Sequence, residues 1–308
     1  MPIVFGRGFL NDTSARALTV GELEAVFLPR HGMLCASLRH RGVELLRRVR
    51  DLEAAAARGS TAGIPLLHPW ANRLAGPRYR AAGQEVELNL SSPLLHLDEH
   101  GLPIHGVPWS RLTWEVTDAG PDRLTAHLDW VHASLLAIFP FRHKLEITAT
   151  LDRNGLTMDT VLFAAPQGPV PVSFGFHPYL GLADLPRAEW QLRLPTMRRL
   201  RLDAHGIPNG ETEDFDRFEG KLGALEFDEG FALKDERTSF SLIGSQMRIS
   251  VDFLVGYRYA QLFAPKREDL VAVEPMTAPT GALSRGRGLE VVSPGGCFHA
   301  VFQIRIDA

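Results

Sequence analysis

Glu274 follows an apolar run, Leu270-Val271-Ala272-Val273, and is itself followed at once by Pro275. A carboxylate at the mouth of a buried strand loses hydration, which disfavours its charged form and lifts its pKa toward the range of a general base. His177 is set between Phe176 and Pro178 in the stretch VSFGFHPYLGL. An imidazole fixed this way is expected to titrate near neutrality and to serve as an acid. In GIPLLHPWANRLAGPRY, residues 63–79, three prolines rule out a regular helix and leave Asn72-Arg73 in a loop between apolar neighbours. The guanidinium there has the planar fork of donors that grips a hydroxyl or carboxylate. His96, His100 and His105 crowd one short segment, which raises a metal site. Gly101 and Pro103 break the helix that would align them, and no cysteine or carboxylate pattern completes a ligand set, so no metal is expected. His105, a loop histidine before Gly106, is instead read as a donor to a polar ligand. Asp228, at the end of the Leu225–Phe227 run, is the carboxylate singled out from an acidic stretch.

The elements that must position these groups are strands. Leu34, Ala36 and Leu38 alternate with Cys35, Ser37 and Arg39, and an Arg41-Gly42 turn predicts a hairpin returning through Val43 to Leu46. Period two recurs at 124–128, 145–151, 247–253 and 302–306. Asn154-Gly155 marks a tight hairpin. Only DLEAAAAR, residues 51–58, reads as a short helix, which Gly59 would terminate. Ile207 to Glu229 is expected to be a long acidic loop. No internal repeat and no composition shift divides the chain, so one all-β domain over 1–308 is expected.

Charge and composition exclude several partners. With 45% hydrophobic residues, 22% charged residues and a net charge of -3 over 308 residues, the chain offers no field for nucleic acid or an anionic membrane. Cys35 and Cys297 are the only cysteines, too few for a disulfide framework. They are expected to be small core residues in a reducing, cytoplasmic compartment. The N-terminal MPIVFGRGFLNDTSAR lacks the pattern of a secretory leader. Residues 160–183 carry no charge, but Pro166, Pro169, Pro171 and Pro178 would break a membrane helix. Without GxGxxG, Walker, HExxH or GxSxG motifs, nucleotide cofactors, zincin chemistry and a serine nucleophile fall away. Acid–base chemistry without a cofactor is what remains.

Five pieces stand in a familiar order: PWANR at 69–73, IHG at 104–106, GFHPYL at 175–180, FDEGF at 227–231 and VEPMT at 273–277. Together they resemble the aldose 1-epimerase (galactose mutarotase-like) family over most of the chain. The resemblance implies a large antiparallel β-sandwich, a supersandwich, with a cleft for one sugar and neither metal nor cofactor. It implies Glu274 as base and His177 as acid, with Arg73, His105, Asp228 and Asn72 binding the sugar, in a monomer or homodimer. A galactose preference is not implied, because Pro69-Trp70-Ala71 stands where the galactose mutarotases carry a Gly-Arg element. Three alternatives stay open. A hexose-6-phosphate 1-epimerase would need rim cations such as Arg78, Arg80, Arg285 and Arg287. A sugar-binding module on the same fold would need no acid and base. A glycosidase pairing Glu274 with Asp228 would need their carboxyls roughly 5 to 9.5 Å apart.

Overall fold

The structure, a computed structural model, describes residues 14–47 and 51–308. Most of the N-terminal stretch examined for a leader lies outside them. The described chain is dominated by antiparallel strands in two large sheets. One has nine strands in the order Glu115–Ala119, Arg123–Trp130, His143–Asp152, Gly155–Ala164, Cys297–Asp307, Arg248–Val255, Thr238–Ile243, Gln191–Leu194 and Phe218–Lys221. The other runs Pro208–Phe215, Met197–Leu202, Phe227–Leu233, Tyr259–Ala264, Val271–Met276, Gly175–Phe176 and Leu66–Leu67, with Tyr179–Leu180 also on the Val271–Met276 strand. A smaller four-stranded sheet holds Arg16–Val20, Leu23–Leu28, Leu34–His40 and Val43–Glu44.

Alternation explains the layering. On Val271–Met276, Val271 and Val273 join the main core, while Ala272, Glu274 and Met276 face the other way. From the nine-stranded sheet Leu145, Ile147, Met158, Phe302 and Ile304 enter the same core. Phe176 meets Phe302 across the layers, ring centroids 5.1 Å apart. Each such buried side chain contributes roughly 1.5–3 kcal/mol, against about 0–1 kcal/mol for an exposed ion pair. Sheet-on-sheet packing, rather than the many surface ion pairs, therefore holds the sandwich.

The expected hairpins form. Arg41 and Gly42 both have positive φ, 51° and 76°, which matches the twist of the strands they join. Asp152 pairs with Gly155, and its Oδ1 accepts from the Asn154 and Gly155 amides at 2.6 and 3.0 Å. The short helix spans Leu52–Ala57, and its N-cap Asp51 accepts from the Ala54 amide at 2.9 Å.

Four expectations are corrected. The acidic stretch 207–229 is largely two strands, Pro208–Phe215 and Phe218–Lys221, lying in different sheets. Its charges fooled a reading by polarity, since Pro208–Phe215 is an edge strand with much of its surface in water. Cys297 is exposed on the outer face of the nine-stranded sheet, whereas Cys35 is buried. Glu274 lies within its strand rather than at the mouth, opposite Gln261. Asp228 likewise lies within Phe227–Leu233, opposite Phe263. The uncharged run 160–183 becomes short strands and turns, and among the described residues no helix is long and apolar enough to cross a membrane.

Candidate active site

The site is built on the face of the smaller large sheet that points away from the main core. Strand register sets its floor. Glu274 pairs with Gln261 on the next strand, and Gln261 pairs with Gly230 on the one after, so these three form a row across the sheet. Asp228 is displaced one step along that last strand, and Gln261 Nε2 donates to its Oδ1 at 2.7 Å. Gln261 was missed in the sequence because it reads as the polar position of an ordinary alternating strand. Its signal is the register that sets it opposite Glu274.

His177 enters from the neighbouring strand edge, just after Gly175–Phe176, with its amide donating to the Pro65 carbonyl at 3.1 Å. Its Nε2 lies 3.1 Å from Glu274 Oε1, and both residues are buried, 5% and 2% exposed. Tyr179 stacks on the imidazole, centroids 4.0 Å apart and planes within 18°, and shares a hydrogen bond with Thr61. Gly175 permits the close approach of these strands: a Cβ there would stand 2.7 Å from the Pro275 carbonyl oxygen.

The opposite wall is a pair of strained loops. Asn72 and His105 both adopt left-handed backbone, φ 57° and 62°, a conformation held only where surroundings enforce it. The enforcement is reciprocal. His105 N–H donates to the Asn72 carbonyl at 2.9 Å, and Asn72 N–H donates to His105 Nδ1 at 3.3 Å. Because Nδ1 accepts, Nε2 carries the proton and remains a donor. Gly106, next in the chain, has φ 67°, and a Cβ on it would fall 2.3 Å from the His68 carbonyl oxygen. Gly106→Ala should therefore destabilise the protein by at least about 2 kcal/mol, read as a lowered midpoint in urea.

Arg73 completes the wall. Its Nε donates to Asp98 Oδ2 at 2.5 Å, Nη2 reaches Glu99 at 3.3 Å, and Nη1 reaches Asn72 Oδ1 at 3.5 Å. Asp98 was not singled out in the sequence, where it is one loop acid among many. Burial raises its pKa, but amide donors from Leu102 and His100 and the Arg73 guanidinium outweigh burial and hold it below the usual range.

The five side chains expected on this site, Glu274, His177, His105, Arg73 and Asp228, are thus gathered, with Asn72 contributing through its backbone and amide. His105 and His177 meet edge to face, centroids 5.7 Å apart. Burial pushes the Glu274 carboxyl well above its ordinary range; Asp228 adds to this and Arg73 opposes it. Burial pushes His177 well below its ordinary range, helped by neighbouring His105 and Arg47 and opposed by a backbone hydrogen bond. The expected titration near neutrality is corrected accordingly: desolvation dominates the aromatic and proline surroundings. Burial, with Arg73 and His96 adding, takes His105 down to about 3.

Both shifts thus favour a net-neutral Glu274–His177 pair. Two proton arrangements share that net charge: carboxylic acid with imidazole, and carboxylate with imidazolium. They differ by one proton moved across the 3.1 Å contact. Glu274 Oε2 is buried with no hydrogen-bond partner among the described residues. A buried acceptor in that state is able to receive a hydrogen bond from a ligand donor.

The family model for aldose 1-epimerase matches residues 18–304. The chain belongs to the aldose 1-epimerase family. It is 24% identical over 257 residues to the protein YihR of Escherichia coli strain K12, covering 78% of this chain and 80% of that one. Among solved structures, a galactose mutarotase-like protein from Clostridium acetobutylicum superposes with a TM-score of 0.82 at 17% identity, over 95% of each chain. The GalM/aldose epimerase homologue from C. elegans gives 0.79 at 17% identity, over 95% of this chain and 98% of that one. At these identities the structures establish a shared galactose mutarotase-like fold. Every residue of the five motifs lies within the span matched to this aldose 1-epimerase family.

Proposed function

We propose that the protein interconverts the α and β anomers of a free hexose, such as glucose or galactose, by acid–base ring opening. In the carboxylate–imidazolium arrangement, Glu274 accepts the proton of the C1 hydroxyl while His177 delivers its proton to the ring oxygen. The C1–ring oxygen bond breaks, its electron pair leaves with that oxygen, and C1 becomes a free aldehyde. The pair is left as carboxylic acid and imidazole, its other neutral arrangement. Rotation about C1–C2 and the reverse transfers close the ring on the opposite face and restore the starting state. Arg73 and the His105 Nε2–H donor stabilise charge developing on sugar oxygens, and the Asp228–Gln261 pair orients hydroxyls.

The observation that carries this reading is the unpartnered, buried Oε2 of Glu274 beside the His177 contact. A mere binding module would be better served by an amide, because an ionisable carboxyl without a cation costs stability when buried. A glycosidase pairing is not favoured, since the group in contact with Glu274 is an imidazole and Asp228 is held by Gln261. Polarimetry of freshly dissolved α-D-glucose and α-D-galactose, with and without protein, tests the proposal; decay at the spontaneous rate for both sugars would refute it. The two unpaired cysteines favour a cytoplasmic setting, and the reaction requires no partner beyond the sugar.

An unphosphorylated sugar is the favoured substrate. Of the four candidate cations, Arg80 is exposed, Arg78 is paired with Glu87 at 2.9 Å, and Arg285 is engaged by Asp203 at 2.8 Å and the Pro208 carbonyl at 2.6 Å. The Arg287 guanidinium packs on Gly210. Glucose should therefore exceed glucose 6-phosphate in kcat/KM. A phosphorylated sugar turned over faster, with an advantage that shrinks as salt is raised, would reverse that assignment.

A further inference from the structure

Two hexapeptides in the chain share a local pattern. Asp98-Glu99-His100-Gly101-Leu102-Pro103 and Asp203-Ala204-His205-Gly206-Ile207-Pro208 share Asp, His, Gly and Pro at the same spacing. They fold alike. In each, Asp Oδ1 accepts from the histidine amide at 2.9 Å and from the amide two residues further on, at 2.8 Å for Leu102 and 3.1 Å for Ile207. In each, the glycine has positive φ, 73° and 72°, and the second aspartate oxygen holds an arginine, Arg73 for one turn and Arg285 for the other. Two rigid turns are thus made from one local code.

Their placement is what matters. The second turn crosses Arg73: a Cβ on Gly206 would stand 3.2 Å from Arg73 Nη1. The tips of the two turns then meet, His100 and His205 lying edge to face with centroids 5.6 Å apart and planes at 88°. Both histidines are exposed on their outer side. Neither belongs to the group of Glu274, His177, His105 and Arg73, yet both sit on the turns that hold and cross Arg73.

Building on the aldose 1-epimerase reading, we propose that His100 and His205 form a steric stop that confines the cleft to a single sugar ring. Glu274 and His177 then carry the chemistry, whereas the paired turns set how large a reducing sugar is accepted. A ring linked through the sugar position that faces Arg73 would run into the two imidazoles. A ring linked elsewhere would be tolerated better, so the linkage that is rejected reports which position faces the stop.

The test compares anomer exchange, by exchange NMR at equilibrium, for glucose, maltose (linked through O4) and melibiose (linked through O6). Wild type should act on glucose and reject at least one disaccharide. The double variant His100→Ala/His205→Ala should keep kcat/KM for glucose and raise it about tenfold or more for the rejected disaccharide, the size expected when a steric exclusion is relieved. His205→Ala alone, at an exposed tip, should move the same ratio in the same direction and serves if the double variant folds poorly. Equal use of all three sugars by wild type, or an unchanged ratio in the variants, overturns the stop. Should wild type fail to exchange glucose, the enzymatic reading fails instead, and dissociation constants for the same sugars decide the stop: relief of exclusion must then appear as tighter disaccharide binding by the variants.

Discussion

Glu274→Gln should lower kcat by about 10²-fold or more, the scale of losing a general base. The amide keeps the shape of the side chain and still accepts a hydrogen bond, so sugar affinity should change little. Stability should hold or rise, because an ionisable group pushed well above its ordinary range by burial is replaced by a neutral one. His177→Asn should also lower kcat, since ring opening then lacks its acid. Arg73→Ala differs in kind: it should raise KM as well as lower kcat, because Arg73 orients the ground state. Near wild-type mutarotation by Glu274→Gln would remove Glu274 from the chemistry and leave it a buried strand residue.

The second large effect is loss of stability in mild acid. His68 and His143 are buried together, Nε2 to Nε2 at 2.9 Å, with His143 Nδ1 2.6 Å from the Phe141 carbonyl. That carbonyl only accepts, so His143 Nδ1 carries a proton, His143 Nε2 accepts, and His68 Nε2 donates. Both rings are neutral in this arrangement; a further proton on His143 would break it, and one on the buried, unpartnered His68 Nδ1 would leave a charge in the core. Burial sets His68 well below its ordinary range, with His143 adding, and takes His143 down to about 4 against its backbone hydrogen bond.

The sign follows from proton binding. Below about pH 6.5 the unfolded chain protonates these histidines while the folded one does not, so their contribution is intact above that pH and is lost as pH falls. His143 alone should withdraw about 3 kcal/mol between pH 6.5 and 4, and His68, His105 and His177 act in the same direction. Glu274 acts oppositely: its raised pKa favours the folded state in acid, and that benefit is lost as pH rises. Four histidines against the raised Glu274 and Glu229 carboxyls leave acid destabilising. The urea midpoint should fall steeply from pH 7 to 5, and His143→Gln should flatten that slope by about one proton. A midpoint unchanged over this range would show that the folded protein accommodates these protons.

Much of this was legible before any coordinates, for physical reasons that differ by residue. Strands at 145–151 and 302–306 betrayed themselves because one face is buried and the other wet, which writes period two into the chain. Glu274 and His177 stood out because polar groups amid long apolar runs are unusual. What stayed hidden depends on pairing between distant segments. Gln261 acquires meaning only from being opposite Glu274, and Asp98 only from its contact with Arg73. The downward shift of His177 was missed because local neighbours cannot reveal how completely the surrounding sheet excludes water. The strands at 208–221 were hidden because an exposed edge has the composition of a loop.

The two cysteines have a practical consequence. Cys35 is buried, and burial with the nearby Glu44 charge raises its thiol far above the ordinary range, so it stays an unreactive thiol in the folded protein. Cys297 is exposed on the sheet that faces away from the cleft. A maleimide should therefore attach at one position only, without mutagenesis, and a dye or solid support placed there would leave the candidate active-site face open.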